Sequence, residues 1–196
     1  MKKYLLAILV TTAGVGAATP ALAQEASAFS GVKIEAIAGG VRDQYGVLGR
    51  NTGVVYGVAV GVDGQVGGMV AGVEAEATES TDDYCRYNQT VTGDTLCINP
   101  GRDLYIGARA GTEMMPGTLL YAKVGYTNTR TRFNYQDGGA GTTNDYIQNR
   151  GANGIRLGGG LERAFGNAFG KLEYRYSNYE DEVSKHQVVI GLGMRF

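Results

Sequence analysis

The chain of 196 residues has one histidine, two cysteines, three prolines and no tryptophan. A single histidine, His186, and the lack of a cysteine cluster leave a zinc site without its usual ligands. Past the first two dozen residues there is no long apolar run, so no segment reads as a transmembrane helix. A hydropathy scan for helices would call the remainder soluble. There is no basic surplus either, and hence no electrostatic footprint for nucleic acid.

The chain begins with a leader. Lys2 and Lys3 form a positive head, Tyr4 to Ala18 is nearly free of polar groups, and Pro20 precedes Ala21-Leu22-Ala23. That is the pattern of a cleaved secretory signal, with cleavage expected after Ala23. An uncleaved anchor would need a longer apolar stretch. Residues 1–23 are therefore expected to be the signal peptide, 24–28 a short lead-in, and 29–196 one domain. Losing the leader removes two lysines and no acid, leaving sixteen basic against nineteen acidic side chains.

Glycine is abundant, at 32 residues. It is not gathered in a low-complexity tract. Gly57, Gly61, Gly107, Gly111, Gly158, Gly160, Gly191 and Gly193 fall on one parity of alternating segments. Glycine normally weakens a strand. Its repetition on one parity points to a crowded interior and tight curvature.

Eight segments alternate with period two, as strands with two unlike faces do. Their apolar parity begins with Val32, Val54, Met69, Leu104, Leu120, Ile155, Leu172 and Val188. The other parity mixes glycine with charge: Lys33, Glu35, Glu74, Glu76, Arg109, Lys123, Arg156, Glu162, Lys171, Glu173, Arg175 and Arg195. Alternation alone does not say which face is inside. A soluble barrel turns its apolar face inward, whereas a membrane barrel turns it to lipid.

The connections favour the membrane. Short turns are expected around Asp63-Gly64-Gln65-Val66, from Glu113 to Thr118, and at Ala164-Phe165-Gly166-Asn167. Longer polar connections are expected from Arg42 to Thr52, Thr78 to Pro100, Phe133 to Ala152, and about Asn178 to Ser184. Long and short alternate, as in an outer-membrane barrel with short periplasmic turns and long outside loops. The last alternating segment runs to Phe196.

These stretches resemble the small outer-membrane β-barrel family of opacity-type surface proteins and OmpA- and OmpX-like barrels. The resemblance rests on residues 70–76, 103–111, 171–176 and 186–196, the last ending Met194-Arg195-Phe196. It implies an all-β, eight-stranded antiparallel transmembrane barrel in the cell outer membrane, surrounded by its lipid. It also implies that Phe196 is read by the barrel assembly machinery as an assembly signal. Interface girdles in such proteins usually use Trp and Tyr. Without tryptophan, Tyr56, Tyr126, Tyr174 and Tyr176 would have to serve.

Three functions compete. In a barrel this small the inward charges should pair and plug the lumen, since lone buried charges are costly. That leaves a structural or surface-interaction role of adhesin or opacity type, through loops rich in Tyr, Asn, Thr, Asp and Gly. Such composition also suits any solvated loop. The second reading is a narrow porin-like channel along the same charges. The third, a lipid-modifying enzyme, would need Ser184 and His186 as a nucleophile and base, with Asp181 or Glu182 orienting them; a polar rim explains those residues as well. The expectation is a monomer that is not an enzyme, with no cofactor, no metal and no nucleic-acid partner. Cys85 and Cys97, twelve apart in the longest loop of an exported chain, are expected to be bonded, free thiols or a metal pair being the alternatives.

Overall fold

Strand after strand pairs antiparallel with its neighbour in the computed structural model, which describes residues 28–45, 49–81, 84–87, 94–136, 146–180 and 183–196. The strands are β1 (Gly31–Tyr45), β2 (Gly49–Val66), β3 (Met69–Ser80), β4 (Tyr84–Tyr87), β5 (Thr95–Met115), β6 (Thr118–Gln136), β7 (Tyr146–Phe165), β8 (Ala168–Tyr179) and β9 (Val183–Arg195). β9 returns to β1, from Lys33↔Arg195 to Tyr45↔Val183. β3 skips β4 and pairs with β5, from Met69↔Thr112 to Thr78↔Asp103. Eight strands thus close into a barrel with no free edge along the wall. The short β4 stands outside this count and pairs only with the upper end of β5.

The two faces are inverted relative to a water-soluble protein. Val58 is 55% exposed and Ile106 64%, whereas Lys33 and Arg156 are wholly buried. The apolar parity therefore faces outward along every wall strand, and the charged parity faces the lumen. That arrangement is stable only with lipid outside.

Two-residue turns close one end of the barrel, at Gly67-Gly68, Pro116-Gly117 and Gly166-Asn167. Gly67, Gly117 and Gly166 take φ of 61°, 74° and 65°, a region glycine occupies at little cost. The first turn corrects the sequence reading, which centred it on residues 63–66. Those residues continue β2, because Asp63 points into the lumen and is held there by two arginines.

At the other end the strands run well past the expected boundaries. β1 reaches Tyr45, β5 starts at Thr95, β6 reaches Gln136 and β7 starts at Tyr146. In sequence these stretches read as loops because alternation fades there. Above the lipid both faces of a strand meet water, so the apolar signal disappears while the ladder continues. Residues 1–27, including the leader and Ala23, lie outside the described residues, as do Asp181 and Glu182.

Candidate functional site: a charged lumen

The alternating strands deliver one inward side chain every second residue, and glycines make room for the long ones. Gly107 and Gly125 are partners across β5 and β6. A Cβ on Gly107 would lie 2.1 Å from the Tyr105 hydroxyl, so the pair of glycines accommodates that inward ring.

All twelve inward charges expected from the sequence are buried in the lumen. Four more join them: Asp43, Asp63, Asp103 and Lys185. These sixteen residues are eight bases and eight acids, and each lies within 3.5 Å of an opposite charge. Near the turns, Asp63 accepts two bonds from Arg109, at 2.8 and 2.5 Å, and one from Arg195 at 3.0 Å. Glu162 accepts from the same two arginines at 2.7 and 2.8 Å.

Higher up, Lys123 stands between three acids, 2.7 Å from Glu74, 2.6 Å from Glu76 and 2.8 Å from Glu173. Lys33 also reaches Glu74, and Lys171 joins Glu35 at 2.5 Å. Arg175 bridges Glu173 and Glu76, and Arg156 links Glu76 to Asp103. Tyr121 couples the two levels: its hydroxyl donates to Glu173 at 2.5 Å, while its ring lies 5.0 Å from the Arg109 guanidinium carbon. Near the upper rim Lys185 meets Asp43 at 3.4 Å.

Apolar side chains bracket the lattice. Phe29, Val70, Leu119 and Tyr121 cluster towards the turns, and Arg195 packs over the Phe29 and Phe169 rings. Ile37, Val41, Val55, Ala59 and Val189 form a second cluster on the β1, β2 and β9 wall.

The other candidates lie elsewhere. Cys85 and Cys97 face each other across β4 and β5 and are joined by a disulfide. Phe196 exposes its ring at the turn end, and its backbone exchanges two hydrogen bonds with Val32. Tyr56, Tyr126 and Tyr174 face outward; Tyr56 and Tyr126 donate their hydroxyls to Glu79 and Asn153, and the Tyr174 hydroxyl is hydrogen-bonded to His186 at 2.7 Å. His186 thus has Nδ1 engaged by Tyr174 and its ring tilted against Tyr176 with centroids 4.9 Å apart, beside the barrel and away from the lumen charges. Glu35, Glu74 and Glu76 come close enough to suggest a cation site, but Lys33, Lys123 and Lys171 already neutralise them.

A closed barrel with aliphatic side chains outside and a paired-charge interior is an integral outer-membrane β-barrel. The chain belongs to the family described as outer membrane protein beta-barrel domain, which it matches over residues 7–196. It resides in the cell outer membrane. In fold it is similar to Ail, the attachment invasion locus protein of Yersinia pestis, with a TM-score of 0.56 and 14% identity over 85% of this chain and 99% of that one. Ail in complex with the heparin analogue sucrose octasulfate gives 0.53 at the same identity. Neisserial surface protein A gives 0.55, again at 14% identity, over 85% of this chain and 98% of its own. No curated protein sequence matches the chain.

Proposed function

We propose that this protein is a monomeric surface-interaction barrel of adhesin or opacity type, whose lumen is closed by its own charges. The observation that carries the reading is the set of eight bases and eight acids that pair across the bore in three groups, one near the turns, one in the middle and the Lys185–Asp43 pair near the upper rim. Ions would have to break those pairs to pass. An eight-stranded barrel has room for side chains and little else.

The upward extension of β5, β6 and β7 supports the interaction half of the reading. These strands have 21, 19 and 20 residues, against the 9–11 or so that cross a bilayer. They form a rigid platform on which outside loops can present side chains. The heparin analogue belongs to Ail, and the reading for this chain rests on its own strands. The chain is exported through a leader cleaved after Ala23, and Phe196 serves the assembly machinery as a recognition residue.

A second reading, a narrow channel, draws on the lumen atoms Glu35 Oε2, Arg175 Nη1 and Arg195 Nε. These are buried and have no hydrogen-bond partner among the described residues, so some polar groups of the lumen are unpaired. Planar-bilayer recording decides between the two. The plugged barrel gives no steady current. Large, stable, ion-selective openings of the wild type would establish the channel instead.

A further inference from the structure

We propose that the outward face of β3, β5, β6 and β7, just above the tyrosine level, holds a binding site for a phosphate group of an outer-leaflet lipid. A cavity of about 260 Å³ opens there. Arg130 and Arg132 of β6 line it with Asn99, Asn149, Ser80 and Glu79. Both arginines are exposed. No described carboxylate pairs with Arg130. Arg132 donates its Nε to Asn149 at 3.5 Å. Two guanidinium groups with donors unused among the described residues, flanked by amides and a hydroxyl, suit a tetrahedral oxyanion.

The recess has a local cause. The β5–β6 register jumps from Pro100↔Thr131 to Asp103↔Thr129, so Gly101 and Arg102 both stand opposite Arg130. Bulges of this kind re-aim side chains at barrel rims. A Cβ on Gly101 would come 2.7 Å from the Arg130 carbonyl oxygen, so glycine permits the close approach.

Height selects a lipid as the source of the phosphate. Tyr126 lies on the same face of β6 with an anchored hydroxyl, as interface tyrosines do. Arg130 is four residues further up. At about 3.3 Å per residue and a tilt of about 40°, it stands roughly 10 Å above Tyr126. The headgroup layer is about 5–8 Å thick on each side, and arginine readily bends down into it. One acid opposes the site: Glu79 lies on the cavity wall, where Tyr56 donates to it at 3.3 Å.

The test uses the refolded full barrel in phosphatidylcholine nanodiscs doped with lipid A or with dephosphorylated lipid A. Retained lipid is read by native mass spectrometry, with heat-modifiable gel migration confirming that every variant is folded. Wild type should retain the phosphorylated lipid roughly tenfold or more over the dephosphorylated form. R130A/R132A should lose that preference, and E79Q should strengthen it. R42A removes an exposed arginine from β1, on the opposite side of the barrel, and should leave the preference unchanged. Inorganic phosphate should fail to displace the lipid. Equal retention of the two lipids overturns the proposal. So does an equal loss in R42A, which would mean diffuse surface charge, and so does binding of inorganic phosphate as tight as that of lipid A.

Discussion

Asp63 holds two arginines from strands far apart in sequence, Arg109 of β5 and Arg195 of β9. Its loss would leave both without their shared acceptor in a buried space. Asp63→Ala is expected to destabilise the barrel by about 3–5 kcal/mol, the scale of a broken buried pair. Urea titration followed by gel-shift migration measures it, and a midpoint unchanged from wild type would show that the lumen is wet enough to dispense with the pair. The four lumen charges missing from the sequence expectation share a cause. Asp63 precedes a glycine and reads as a turn residue, Asp43 lies in a segment that reads as loop, Lys185 falls between the last connection and the last alternating segment, and Asp103 opens its segment. Charge beside a loop signal looks solvated until the strand is known to continue.

Among the elements, β2 carries the clearest depth scale. Its outward residues run Thr52, Val54, Tyr56, Val58, Val60, Val62, with Tyr56 bonded to Glu79 at the upper boundary. Val60→Arg is expected to cost about 2–4 kcal/mol, and Thr52→Arg about 0–1 kcal/mol, because the penalty falls from midplane to interface. Refolding titrations of the two variants measure the difference; equal costs would place the lipid band elsewhere. The β4–β5 hairpin lies beyond that band and is tied by Cys85–Cys97. Reduction should leave gel migration of the barrel unchanged while speeding proteolysis between residues 84 and 98. If reduction abolished migration as a folded band, the hairpin would be part of the barrel's stability. Period-two alternation made the eight wall strands legible, since each crosses lipid with one face dry. It could not reveal the strand tops, where that asymmetry ends.

For the whole molecule, the lumen is layered. An apolar group around Phe29, Val70 and Leu119 lies towards the turns, the charge lattice fills the middle, and aliphatic side chains line the β1, β2 and β9 wall beside its upper part, Ala59 opposite Glu35 and Glu76 and Val189 opposite Glu173. The plug reading belongs to this scale, and the bilayer recording described above is its check. Opposite faces for charge and aliphatic groups were readable from parity; which acid meets which base was not, because pairing across the bore depends on barrel closure and stagger.

The partners in that lattice come from distant parts of the chain. Lys171 meets Glu35 across 136 positions, and Arg195 meets Asp63 across 132. A partly assembled sheet cannot bring them together, so its inner charges must keep their water. They surrender it only when β9 docks on β1 and the bore shuts. On the plugged reading, dehydration of these sixteen ionic groups waits for that closure, and a chain lacking β9 is expected to give no folded band on heat-modifiable gels; a folded band of lower stability would show that the lattice forms without closure.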